Sequence, residues 1–193
     1  MMDHANTFGK GKSATSKLLY FHSLSIALDC ISNEIPSGIV YDLGGGNGLS
    51  KRWFDNNQVI TVDNNPDMEP DICSNINTYQ VPPDASMVLM RHVLHYLTDD
   101  EIKALINRVN VPILLIQFTN KDIKAKQAQT TNEEHKNFRT LDQVLELLYD
   151  TNKNNIKRLY KIDYTVQPDF YVERFGVMGK SIHDETLCAW WIK

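Results

Sequence analysis

The residues best placed to do chemistry lie between positions 42 and 63. An apolar run, Ile39-Val40-Tyr41, meets Asp42, and Leu43 leads straight into Gly44-Gly45-Gly46-Asn47-Gly48. This reads as a hydrophobic strand followed by a tight turn with almost no side chains, so that a ligand can lie against main-chain N–H groups where the next element starts. A second apolar run, Val59-Ile60-Thr61-Val62, ends in Asp63, twenty-one positions after Asp42. Nucleotide-binding folds place a carboxylate at about this spacing, against ribose hydroxyls. The glycines stand at Gly44, Gly46 and Gly48, and Leu49 occupies the sixth position, where a dinucleotide site needs glycine. No Gly-Lys-Ser/Thr follows, which excludes a P-loop.

Strand, Asp, G-x-G-x-G and a spaced acid after the second strand resemble the class I S-adenosylmethionine (SAM)-dependent methyltransferases. In that family the turn lies beside the methionine part of SAM. SAM has no pyrophosphate, so the absent sixth-position glycine favours it over a dinucleotide. The resemblance extends over residues 35 to 193. It implies a cofactor side made of Asp42, Gly44, Gly46, Asp63 and the adjoining Asn64. It also implies Asp71-Ile72 against adenine, with the Asp accepting from the exocyclic amine and the Ile packing on the ring, and the backbone of Arg91 at the methionine end. The segment Ala85–Leu97 resembles the family's fourth strand and following turn, and Leu187–Ile192 its last antiparallel strand. The implied fold is α/β: a single three-layer domain with a mostly parallel seven-stranded sheet, the last strand antiparallel and helices on both faces.

Methyl transfer from SAM is an in-line displacement at a positively charged sulfur. Holding the acceptor in line supplies much of the acceleration, and a base is needed only for a hydroxyl or a protonated amine. The candidates follow the fourth strand: Arg91, His92, His95 and Tyr96. His92 or His95 is expected to act as the base near neutral pH. The plainer alternative packs His95 under the following helix and leaves Arg91 bridging acids. The fourth strand lacks the Asp/Asn/Ser-Pro-Pro-aromatic signature of enzymes that methylate exocyclic or amide nitrogens. It also lacks the acidic pair of magnesium-dependent catechol-type enzymes, so no metal is expected. What remains resembles the small-molecule O-, N- or C-methyltransferases, with S-adenosylhomocysteine (SAH) as product.

The elements that must position these residues follow from pattern. A polar stretch over 1–16 reads as a loose arm. Leu18, Phe21, Leu24, Leu28 and Ile31 repeat at helical period up to Ile35, and a short helix continues the glycine turn over Leu49–Phe54. Thr98-Asp99-Asp100-Glu101 is a capping box ahead of an amphipathic helix, and Thr140 with Gln143 is another. Ile113–Phe118 is continuously apolar, as a strand covered on both faces requires. Residues 119–139 read as a substrate-side lid or, equally, as a solvent-facing helix with Lys121, Lys124 and Lys126. Leu159–Phe175 alternates like a strand or hairpin, broken at Pro168.

The 193 residues suffice for one α/β domain, 1–193, and a net charge of −4 advertises neither nucleic acid nor an anionic membrane. Cys30, Cys73 and Cys188 form no metal-ligand pattern. With no apolar leader or membrane-length run, they point to a cytoplasmic setting. A small-molecule acceptor is the first expectation. RNA or protein as acceptor has the basic stretch Lys153–Arg158 in its favour. A non-catalytic SAM-binding subunit is the third reading.

Overall fold

A strand covered on both faces is built of nearly consecutive apolar residues. The computed structural model places Ile113–Phe118 in such a strand, buried at all positions. The residues described are 35–54, 57–118, 137–152, 156–166 and 183–192. Their strands are β1 (Gly38–Leu43), β2 (Asn57–Asp63), β3 (Ile72–Cys73), β4 (Ala85–Arg91), β5 (Ile113–Phe118), β6 (Ile156–Val166) and β7 (His183–Ile192). They form one sheet in the order β3-β2-β1-β4-β5-β7-β6. The pairs among β1 to β5 are all parallel, whereas β7 runs antiparallel to both β5 and β6. The chain steps outward from β1 through β2 to β3, then crosses back to lay β4 on β1's other side. The C-terminal ends of β1 and β4 therefore flank a switch point, where open α/β sheets bind ligands.

Two apolar clusters mark the two faces. The first holds Tyr41, Leu43, Val62, Val88, Met90, Leu114 and Ile116, covered by Ile102, Leu105 and Ile106 of α1 (Asp99–Arg108) and Val144, Leu147 and Leu148 of α2 (Leu141–Asn152). The second holds Val40, Phe54, Met87, Leu89, Ile113 and Leu115, with Ile35, Trp53 and Val59 packed against it. Both described α-helices thus lie on one face and pack on each other. The helix expected over Leu18–Ile35 lies, apart from Ile35, outside the described residues, as do the 1–16 arm and residues 119–136 of the expected lid. Leu49–Arg52 is a single 3-10 turn instead of the expected helix running on to Phe54.

The capping signals act as their chemistry demands. Thr98 Oγ1 accepts from Glu101 N, and the Glu101 carboxylate accepts from Thr98 N at 2.8 Å. Thr140 and Gln143 reciprocate in the same way ahead of α2. Replacing Thr98 by Ala should cost about 1 kcal/mol in urea unfolding; a change near zero would mean that other contacts hold the start of α1.

Candidate functional site

Side chains alternate across a strand, so the apolar clusters also show where polar residues must point. Val40 belongs to the second cluster while Tyr41 and Leu43 belong to the first, which puts Asp42 on the second face. The same alternation sends Thr61 and Asp63 of β2, Arg91 of β4 and Gln117 of β5 to that face. The first face is apolar to the C-terminal edge. The second turns polar over its last residues, across four neighbouring strands, at the switch point.

The glycine turn sits over this polar strip. Gly46 N donates to Asp63 Oδ2 at 3.0 Å, and Asn65 N donates to Asp63 Oδ1 at 2.9 Å. One carboxylate thus links the turn after β1 to the turn after β2. Gly44 adopts φ 74°, and a side chain there would run into Val93 Cγ2. Its glycine lets the turn pack directly on the segment after β4. Gly46 adopts φ 52°, but a Cβ there would meet nothing within 4 Å. The space above Gly46 is open, and its backbone is bare towards it.

Asp42 lies beneath the turn, 3% exposed. Its Oδ2 accepts from Ser50 Oγ, while its buried Oδ1 has no hydrogen-bond partner among the described residues. Burial pushes its carboxyl up from 3.8 to about 6. The Ser50 hydroxyl and the nearby Arg91 and Lys51 charges oppose this rise, and Asp63 adds to it. A buried carboxyl with one oxygen that accepts no hydrogen bond among the described residues suits a positively charged group close by.

The segment after β4 carries both candidate bases in different settings. His92 N donates to Gln117 O at 2.8 Å. His92 is one of only two non-glycine residues with positive φ among the described residues, at 52°. Such a conformation costs about 1–3 kcal/mol and is kept where surrounding structure enforces it. His95 lies in the 3-10 turn Leu94–Tyr96, buried, with its ring stacked on Phe138 at 5.4 Å and tilted against Tyr96 at 4.1 Å.

Asp42, Gly44, Gly46, Asp63, Arg91 and His92 therefore converge on one edge, with Asn64 exposed beside them. Asp71 and Ile72 do not take the expected place. Asp71 stands at the entry to β3. Its Oδ2 accepts from Thr61 N and Thr61 Oγ1, each at 2.8 Å, and Lys51 pairs with it at 2.6 Å. Burial opposes ionisation there, but the Lys51 and Thr61 hydrogen bonds outweigh it and hold the carboxyl below its usual value. Ile72 is register-paired with Val62 and packs into the first-face core. The β3 residue paired with Asp63 is Cys73, and Ser74 N bonds Asp63 O at 2.9 Å, so Asp71 and Ile72 are not brought together with the turn residues.

Pattern reading also passed over Ser50, Gln117 and Arg139. Gln117 had a signal, since it is a polar residue that interrupts the run Ile113–Phe118, read from the pattern as continuously apolar. Arg139 had none, because its main partners lie some forty residues away. The Lys153–Arg158 stretch, where described, lies on β6, the sheet edge two strands beyond β5. Among the described residues no cluster of three His, Cys, Asp or Glu side chains could hold a metal ion, and no helix is long and apolar enough to cross a membrane.

No protein-family model matches the chain, and no curated protein matches its sequence. Solved structures do match in fold. A SAM-dependent methyltransferase from Archaeoglobus fulgidus superposes with TM-score 0.62 at 14% identity, covering 88% of this chain and 94% of that one. The N-methyltransferase NodS from Bradyrhizobium japonicum gives 0.61 at 10% identity, covering 93% and 98%. Haemonchus contortus phosphoethanolamine N-methyltransferase 2, solved with phosphomonomethylethanolamine and SAH, gives 0.60 at 14% over 88% of this chain. The present chain spans about half of that protein, 52%. The fold is that of class I SAM-dependent methyltransferases.

Asp42 supplies a test of the site's electrostatics. With a folded value of about 6 above the usual 3.8, its ionisation penalises the folded state increasingly as pH rises through that interval. The penalty is complete above it and absent below it, at most about 3 kcal/mol. Asp42→Asn, which still accepts from Ser50, should gain up to that amount at about pH 7.5 and nothing at about pH 3.5 in urea unfolding. An equal effect at both pH values would show that ionisation is not the cause.

Proposed function

We propose that this protein is a SAM-dependent methyltransferase that transfers a methyl group to an O, N or C nucleophile of a small molecule. The observation that carries the reading is the bare glycine turn tied to the Asp63 carboxylate and set over the buried Asp42, at the switch point of this sheet. The residues present fit the cofactor. Asp63 would accept from the ribose hydroxyls, with Asn64 beside it. The open backbone at Gly46 would admit the methionine side, and the unpartnered Asp42 Oδ1 would face its positive charge. The base is assigned to the edge at Ser74 and the residues after it, because Asp71 and Ile72 are otherwise engaged.

When bound, SAM supplies a methyl group on a positively charged sulfur. The chain's task is then to hold, orient and deprotonate the acceptor. Arg91 stands at the switch point and adds its charge to the field at Asp42. His92 is fixed by its bond to Gln117 O and by its left-handed backbone, and is assigned as the base for a hydroxyl or protonated amine. His95, stacked between aromatic rings, supports the turn. The small-molecule acceptor draws support from the Haemonchus protein, whose bound acceptor is a small phosphorylated amine, and from the distance between the basic β6 stretch and the turn.

Calorimetry and thermal shift with SAM and SAH test the reading directly; no heat and no shift with either would end it. Labelled methyl transferred into small metabolites, rather than RNA or protein, fixes the acceptor class. Asp63→Ala should weaken SAM binding by about 1–3 kcal/mol, and unchanged affinity removes Asp63 from the site. Gly46→Val fills the open space above the turn and should reduce binding by more than about tenfold; normal binding by a folded variant would leave the turn without a ligand role.

A further inference from the structure

We propose that Arg139 is a positioning residue for the transfer reaction, acting through the 92–97 turn. This rests on the reading of that turn as the acceptor side. Arg139 is 7% exposed, yet carries a full guanidinium charge into the protein. Its Nη1 donates to Leu94 O at 2.7 Å and to Asn137 O at 2.8 Å. Its Nη2 donates to Leu97 O at 2.8 Å and lies 2.7 Å from Asp99 Oδ1. Its Nε donates to the same Asp99 oxygen at 2.8 Å. A guanidinium has five N–H groups in a fixed planar fork; this one makes four hydrogen bonds and an ion pair with Asp99.

The acceptors define what the clamp does. Leu94 O and Leu97 O bracket the 3-10 turn that carries His95 and Tyr96, and Asp99 opens α1 immediately after it. Asn137 belongs to the irregular segment just before α2. The guanidinium thus bolts residues 137–139 onto the end of the post-β4 turn. Phe138, between Asn137 and Arg139, is the ring stacked on His95. The other end of the same turn is His92, which must keep a left-handed backbone while bonded to Gln117 O. A six-residue turn strained at one end keeps its shape best when the other end is held. Arg139 provides that hold, and no shorter or unforked cation reaches the same set of oxygens.

Arg139→Lys separates this role from a general contribution of charge, since an ammonium offers three donors on one atom. The ring resonances of His95 in the full chain, assigned with His95→Gln, report the turn. Binding of SAH reports the cofactor side, and labelled transfer from saturating SAM into a metabolite extract reports turnover. Arg139→Lys should move the His95 resonances and slow transfer at least about tenfold, with SAH affinity kept within about twofold. Added guanidinium should partly restore both signals to Arg139→Ala. Unmoved His95 resonances in folded Arg139→Lys overturn the proposal. So does a loss of SAH affinity equal to the loss of rate, which would make Arg139 a support of the whole fold. If the Lys variant does not fold, Phe138→Leu removes the ring and spares the clamp; the same split between rate and SAH affinity is expected, and its absence overturns the proposal. Wild-type protein that binds no SAH overturns the methyltransferase reading itself, a failure told apart because a wrong assignment of Arg139 leaves wild-type binding intact.

Discussion

The site depends on one hydrogen bond, from the main chain of Gly46 to the carboxylate of Asp63. A turn built of glycines exposes N–H groups and has no side chains with which to hold itself. Parallel pairing of β1 with β2 in the register Leu43↔Val62 brings the end of β2 level with the turn. The acid that follows can then accept from it in a charge-assisted bond. On the opposite flank Gly44 packs on Val93. The turn is therefore gripped by β2 on one side and, across the switch point, by the segment after β4 on the other. Its glycines serve two needs: close packing at Gly44 and an open approach at Gly46.

The second constraint is the asymmetry of the sheet's faces. An apolar first face under two helices lets the second face carry Thr61, Asp63, Asp42, Arg91 and Gln117 near its edge without loss of a core. Asp42 shows the tension most clearly. Its burial raises the cost of ionisation, and Ser50 compensates only one of its oxygens. Stability alone would favour an amide or an apolar residue there. Natural proteins break such local rules at functional sites.

Much of this was legible in the sequence where the signal is local. The glycine turn, the two strand-ending acids, both capping boxes and the β5 run all rest on contacts within a few residues or on simple period, and the α/β, mostly parallel reading rests on them. Asp71 and Ile72 read as site residues because a two-residue strand leaves its start undefined in the sequence; Asp71 instead precedes that strand and binds Thr61 and Lys51. His92 gave no sign of its backbone, since a left-handed conformation at a non-glycine residue is imposed by its surroundings. Arg139 was invisible for the same reason as any long-range hydrogen bond: three of its acceptors are carbonyls, whose chemistry is common to every residue, and the fourth is the Asp99 carboxylate forty positions away.

The anchoring of residues 137–139 has an evolutionary corollary. Phe118 ends β5 and Arg139 is tied to Leu94, Leu97 and Asp99, so the chain on either side of 119–136 is held by contacts of its own. Selection on those contacts therefore acts separately from selection on the number of residues that join them.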